Sequence, residues 1–415
     1  MSKSLDPFLL ALRSSGLMPS DLLDQVLEWS RVPNADPKLI AKQIVQKGWL
    51  SHFQVKMIWN HRGAELLLGQ YVLVDKLGEG GMGEVYRARH RRMGRDVALK
   101  VIRKERLDNP EAVRRFQREI QAAAQLSHEN VVMAYDADQQ GDIHFFAMEL
   151  VEGINLAKKV REGGGLSLQD ACNYIRQSAL GLQHALERGM VHRDVKPSNL
   201  ILSKNGIIKV LDMGLARIQD AEGEAETRLT QEGLVIGTPD FIAPEQARNS
   251  RNADIRSDIY SLGCTFYFLL CAESPFSGGT PTQKMLRHTT DPIPDITLKR
   301  PDVSPALRSI LEKMMAKNPQ DRYQTPAEIA QALQMILTPP PAGLPASVLA
   351  PIFEPLPDSE SGSTTADDFR LEPNDGRVVV STYRPAPPGG WLIPILLGLG
   401  VLLVVGAVIV AIVSK

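Results

Sequence analysis

Cysteine is scarce in this chain. Only Cys172, Cys264 and Cys271 occur in 415 residues, odd in number and without metal-ligand spacing. That excludes a disulfide framework and reads as three small buried hydrophobes in a reducing compartment. Net charge is almost absent too: 47 lysines and arginines face 48 aspartates and glutamates, a formal charge of -1. No global basic field exists to draw in a nucleic acid, and none is expected as a partner. The N-terminal stretch "MSKSLDPFLLALRSSG" lacks a signal-peptide pattern, since Asp6, Pro7 and Arg13 interrupt it, and no secretory leader is expected. What remains is an ordinary apolar and charged balance, in a chain long enough for two folded units plus linkers.

The one long uncharged run is near the C-terminus, "WLIPILLGLGVLLVVGAVIVAIV" from Trp391 to Val413. As a helix rising about 1.5 Å per residue it reaches roughly 34 Å, against a hydrocarbon core of about 30 Å. It is apolar all round, which favours a transmembrane helix over a core helix. Only Ser414 and Lys415 follow it, and Arg370, Arg377 and Arg384 precede it. The expectation is a single-pass, C-terminally anchored protein with its folded mass on the cytoplasmic side. Residues 338–390 are proline-rich with acidic and hydroxyl clusters, a composition that predicts a disordered tether.

Residues 1–64 show helical periodicity and an internal echo. "SGLMPSDLLDQVL" (Ser15 to Leu27) and "KGWLSHFQVKMIW" (Lys47 to Trp59) align at an offset of 32, matching Gly16 with Gly48 and Val26 with Ile58. In each copy a helix meets a capping glycine, and Pro19-Ser20 or Ser51 opens the next. This predicts a small helical domain with an interaction role. Its removal is expected to alter partner capture and to leave basal activity standing.

The region 71–337 carries the chemistry. In "LGEGGMGEVYRARH", Gly78, Gly80 and Gly83 suit either a dinucleotide-binding turn before a helix or a hairpin. Strand-like residues on both sides favour the hairpin. Leu77, Gly78, Glu79, Gly80, Gly81, Met82, Gly83 and Glu84 would then bring backbone amides close to phosphate oxygens. Val85 and Ala98 offer apolar surface to a base, Met148 limits the pocket, and backbone groups around Glu149 and Val151 suit an adenine edge. Lys100 ends "VALK" and is placed to hold phosphates. Glu119 in "RRFQREIQAAAQL" is placed to pair with it, with a purely structural salt bridge as the competing reading.

"MVHRDVKPSNLIL" is the most specific stretch. Asp194 suits a group that accepts or orients the proton of a hydroxyl nucleophile. Lys196 suits neutralisation of a migrating phosphoryl group, and Asn199 a metal ion. Further on, "KVLDMGLA" delivers Asp212 as a second metal ligand.

In this order the motifs resemble the bacterial, membrane-anchored, eukaryotic-like serine/threonine protein kinases. The ordered set continues with "GTPDFIAPEQ" (Gly237 to Gln246), Asp258 in "SDIYSLGCTFYFLL" and Arg322 in "NPQDRYQT". The resemblance implies an α+β, bilobal fold with a β-rich N-lobe and a helical C-lobe. It implies ATP with Mg2+, or alternatively Mn2+, in the cleft, and transfer of the γ-phosphoryl group to protein serine or threonine hydroxyls. Asp258 would brace the catalytic loop, and Arg322 would pair with Glu245. Lys196 and Thr238 match the serine/threonine-specific pattern. Arg193 beside Asp194 implies control by a phosphate on the activation segment, with Thr227 and Thr230 as autophosphorylation sites and dimerisation as a route to them. Met213 replaces the family's usual aromatic residue, a modest volume change expected to tune activity. The competing reading is a catalytically weak pseudokinase scaffold that recruits partners through its N-terminal helices.

Overall fold

Helix α1 (Pro7–Ser15) starts where the Asp6 carboxylate accepts the Phe8 amide at 2.8 Å, and stops at Gly16 in the left-handed region, φ 63°. Helices α2 (Ser20–Ser30) and α3 (Pro37–Gln46) follow, and Gly48 after α3 has φ 69°. The sequence echo is therefore a repeated glycine turn, in a conformation that costs glycine nothing. Helix α4 (His52–Trp59) opens on a capping box between Ser51 and Gln54. These elements belong to a computed structural model that describes residues 6–32, 35–81, 83–107, 109–213, 239–249 and 253–338.

Six antiparallel strands come next: β1 (Leu67–Leu68), β2 (Tyr71–Gly80), β3 (Gly83–His90), β4 (Asp96–Ile102), β5 (Ala134–Gln140) and β6 (Ile143–Glu149). Their order in the sheet is β1-β2-β3-β4-β6-β5, and helix α5 (Pro110–Ala123) lies between β4 and β5 in sequence. Alternation along a strand sends neighbouring side chains to opposite faces. Val97, Leu99, Phe145 and Ala147 join one cluster, while Ala98, Phe146 and Met148 join another with Phe116 and Ile120 of α5. Both faces are covered, so Val97 to Leu99 and "FFAM" are apolar at successive positions.

The cover on the first face is the N-terminal helices. Phe8, Leu12, Val26, Ile44 and Ile58 share one buried cluster with Tyr71, Leu73, Ala88 and Leu99. Ser51 Oγ donates to the Val74 carbonyl, and Gln54 Nε2 to the Leu73 carbonyl at 2.8 Å. These bonds fall where the β2–β3 ladder is irregular, between Leu73 and Asp75. A groove of about 650 Å³ runs along this seam, lined by Trp49, Phe53, Val74 and Arg89 among others.

The second lobe is helical: α6 (Leu156–Gly163), α7 (Leu168–Leu186), α8 (Pro244–Arg248), α9 (Ile255–Cys271), α10 (Pro281–Thr290), α11 (Pro305–Met314) and α12 (Pro326–Leu337). A small antiparallel sheet, β7 (Gly153–Asn155), β8 (Leu200–Ser203) and β9 (Ile208–Val210), lies at its edge. Helix α9 is buried almost all round, so its polar residues must find partners inside. The two-lobed α+β arrangement expected from the sequence is present. Residues 1–344 group as one unit and 345–415 as a second, which lies outside the described residues, as does the expected span 391–413. Among the described residues no helix is long and apolar enough to cross a membrane.

Candidate active site

The glycine hairpin is closed by the pair Gly80 and Gly83, with Gly81 in the turn and Met82 outside the described residues. A Cβ on Gly83 would overlap the Val101 carbonyl oxygen of β4, so packing alone requires glycine there. Among the described residues a Cβ on Gly78 or Gly80 would meet no atom within 4 Å, and neither has a positive φ. Packing among the described residues does not account for those two. Leu77 is half exposed. Glu79, between Gly78 and Gly80, and Glu84, after Gly83, share Lys76 Nζ, at 2.8 and 2.6 Å.

Inside the hairpin, Val85, Ala98, Met148 and Val151 gather in one apolar cluster. Leu211 joins them, a residue that sequence reasoning passed over and that its position next to Asp212 could have indicated. The Glu149 amide donates to the Met133 carbonyl at 2.9 Å, and its carboxylate pairs with Lys209 at 2.9 Å. Behind Met148 lies a cavity of about 20 Å³, lined by Ala123, Leu126, Val132, Phe146 and Met213. Met213 is buried beside the C-terminal end of the helix that carries Glu119. Glu119 itself is partly buried.

The loop 192–199 is built from within α9. Asp258, 1% exposed, accepts the His192 amide on Oδ2 and the Arg193 amide on Oδ1, both at 2.7 Å. Burial pushes its acid up to about 6, although those amides and His192 pull the other way. Gripping two successive amides fixes a sharp turn, and Arg193 adopts φ 65°. The Asp194 amide donates to His192 Nδ1 at 3.2 Å, which leaves Nε2–H to donate to the Leu211 carbonyl at 2.7 Å. One imidazole thus ties the loop to the strand end that carries Asp212.

Two constellations face each other across that tie. In the first, Lys196 Nζ reaches both Asp194 oxygens, at 2.9 and 2.7 Å. Asn199 Nδ2 donates to the Asp194 carbonyl at 2.8 Å and to Oδ2 at 3.2 Å. In the second, Lys100 Nζ stands 2.7 Å from Asp212 Oδ2. Asp212 has φ 55°, a costly backbone for a non-glycine residue and one that concentrates at functional sites. Burial would raise its acid, but the charge and hydrogen bond of Lys100 outweigh that and hold it below the ordinary carboxylate range. The Leu211 amide donates to the Asn199 carbonyl at 2.9 Å, keeping the two constellations in register.

Beneath the loop, Gln246 Nε2 donates to the Arg193 carbonyl at 2.9 Å. Glu245 takes two bonds from Arg322, at 2.7 and 2.9 Å, and a third from Ser257. The pairing of Arg322 with Glu245 and the bracing by Asp258 are both as expected. Thr227, Thr230 and Thr238 lie outside the described residues.

Residues 71–335 match the protein kinase domain. The chain belongs to the protein kinase family. Over 268 residues this kinase is 40% identical to the serine/threonine-protein kinase PknB of Mycolicibacterium smegmatis, an alignment covering 63% of this chain and 42% of that protein. It is 35% identical over 284 residues to the probable serine/threonine-protein kinase SCO3848 of Streptomyces coelicolor, covering 68% and 42%. Among solved structures it resembles the kinase domain of Mycobacterium tuberculosis PknI, at 27% identity and a TM-score of 0.53, over 65% of this chain and 96% of that domain. These relatives place the kinase with the bacterial eukaryotic-like serine/threonine kinases. The alignments span about two-fifths of the length of the curated relatives.

Proposed function

We propose that this kinase transfers the γ-phosphoryl group of ATP to serine or threonine hydroxyls of proteins. The observation that carries the reading is the facing pair of constellations, Asp194–Lys196–Asn199 and Lys100–Asp212, joined through His192 and Leu211. Asp194 orients the acceptor hydroxyl and takes its proton. Lys196, already on that carboxylate, neutralises charge on the migrating group. Lys100 holds phosphate oxygens from a buried strand, with Glu119 as its orienting residue. Gly78 and Gly80, which nothing in the packing of the described residues requires, suit close approach of phosphates to backbone. The base lies between Val85, Ala98 and Leu211. Because the Glu149 amide is already bonded to Met133, the adenine edge is left to its carbonyl and to the Val151 amide.

The metal donors are Asp212 and the Oδ1 of Asn199, whose Nδ2 is already engaged. Among the described residues no group of three or more His, Cys, Asp or Glu is gathered for a metal. Two protein donors are a fit for Mg2+, which is held by one or two protein groups with water and substrate phosphates completing the octahedron. When bound it would neutralise phosphate charge. Mn2+ suits the same oxygen donors.

The finer parts of the proposal follow the sequence. Residues 391–413 anchor the kinase in a membrane as a single span with the catalytic region cytoplasmic, and the tether gives it reach. The N-terminal helices, with their groove, recruit a protein partner. Thr227, Thr230 or both are autophosphorylated, in trans between two copies, for recognition by Arg193. Phosphopeptide mapping after incubation with ATP tests this last point, and an active enzyme carrying no phosphate at either residue would refute it. The central test is transfer of labelled phosphate to a generic basic protein by the wild type and by Asp194→Asn. Loss in the variant supports the reading. Equal incorporation by both would remove Asp194 from the chemistry, and none by either would favour a scaffold.

A further inference from the structure

Helix α10 packs against the segment Pro239–Phe241 and against α8, and it meets the segment with one face. Lys284 and His288 lie one helical turn apart on that face. Lys284 Nζ stands 2.6 Å from Asp240 Oδ1, with the two side chains only 18% and 13% exposed. Ser274 Oγ donates to the same oxygen at 3.3 Å. His288 is fully buried, bonded through Nδ1 to the Tyr260 hydroxyl at 2.9 Å and edge-on to Phe276. The backbone of Pro239 and Asp240 lies beside its ring, although among the described residues its Nε2 completes no hydrogen bond. The far end of α10 is fastened by Lys317, whose Nζ donates to the His288 carbonyl at 2.9 Å.

The segment gripped in this way leads into α8, whose Gln246 is bonded to the loop that carries Asp194. It follows Thr238, within the stretch that the sequence ties to acceptor choice. A shielded ion pair between a helix and such a segment holds the segment at a fixed height. Losing one partner leaves the other charge desolvated and releases the segment.

We infer that Lys284 is a positioning residue for the acceptor protein: its bond to Asp240 sets the Pro239–Phe241 segment beside the catalytic loop and so governs acceptor binding, not nucleotide binding. The inference rests on the phosphotransfer reading above. Lys284 touches neither ATP nor the reacting hydroxyl in this scheme; it acts through Asp240.

The test compares wild type, Lys284→Met and the exchanged pair Lys284→Asp with Asp240→Lys, using a synthetic serine peptide as acceptor. Lys284→Met should raise the peptide KM about tenfold, with kcat at saturating peptide and the KM for ATP changed by no more than about twofold. The exchanged pair should recover most of that loss. Hydrogen exchange at the amides of Phe241 and Ile242 should accelerate in Lys284→Met and slow again in the exchanged pair. Asp240→Asn, which keeps the shape of the side chain, should reproduce the KM effect if Lys284→Met folds poorly. An unchanged peptide KM, or a parallel rise in the KM for ATP, would overturn the inference. If the wild type transfers no phosphate, it is the functional reading that has failed. The exchange measurement then decides by itself whether Lys284 positions the segment, and unaltered exchange refutes it.

Discussion

Lys100 Nζ and the Asp212 carboxylate stand 2.7 Å apart, one fixed on β4 in the first lobe and the other just beyond β9 in the second. With a lysine side chain only 6% exposed, this contact couples the lobes electrostatically and keeps Asp212 charged. Lys100→Met should cost at least about a hundredfold in transfer rate, the scale seen when one preorganised charge-stabilising donor is lost. It should also raise the pKa of Asp212. Labelled-phosphate transfer and carboxylate titration by NMR check the two effects, and a variant retaining a tenth of wild-type activity would contradict the first.

Met213 fills space beneath α5 beside the cavity of about 20 Å³. That void takes up part of a larger ring, so Met213→Phe should cost no more than about 1–3 kcal/mol of overpacking and leave activity standing. The expected change is in basal rate, read at limiting ATP. Loss of all transfer would show that methionine is required.

Local geometry was legible in the sequence where it depends on close spacing. Asp194, Lys196 and Asn199 lie within six residues and meet as their spacing suggests. The paired glycine turns at Gly16 and Gly48 were readable for the same reason. Contacts set by tertiary packing were not. The alternation of Val97, Ala98 and Leu99 shows that both faces of β4 are buried, but not that α1 to α4 supply one cover. The Lys209–Glu149 and Lys284–Asp240 pairs join charges that look like solvated surface when read along the chain. Met82, Thr227, Thr230, Thr238 and the expected span 391–413 lie outside the described residues.

Arg322 is buried with two bonds to Glu245, and it donates to the carbonyls of Ala316, Arg256 and Lys317 as well. Removing the arginine alone strands a shielded carboxylate and three acceptors. Arg322→Ala should therefore destabilise by about 3–5 kcal/mol. Thermal unfolding of Arg322→Ala, Glu245→Gln and the double variant forms a cycle, and strictly additive losses would argue against a coupled pair.

The shared core changes the outcome expected on deleting residues 1–64. Leu73, Ala88 and Leu99 are at most 3% exposed, and deletion would bare them together with Tyr71. The truncated kinase should be poorly soluble or markedly less stable, so partner capture cannot be separated from folding by that route. A milder probe is Ile44→Ala, at a fully buried position, with an expected cost of about 2–5 kcal/mol. If the truncated chain melts at the wild-type temperature, the helices are a detachable module after all.

His288 predicts a pH dependence. Burial, reinforced by the nearby Lys317 charge, pushes its pKa down to about 4 from the ordinary 6.5. The folded state therefore resists a proton that the unfolded chain accepts. The resulting stability is present in full above 6.5 and is lost as the pH falls towards 4, by about 3 kcal/mol in all. Asp258 works in the opposite sense: with an acid pushed up to about 6 from 3.8, its native state gains protons over an overlapping range, and acid favours folding there. A single melting curve mixes the two. The difference between wild type and His288→Gln isolates the histidine, because Asp258 is common to both. That difference should shrink from pH 7 to pH 4.5, and a pH-independent difference in denaturant midpoints would show that His288 is not held neutral by the fold.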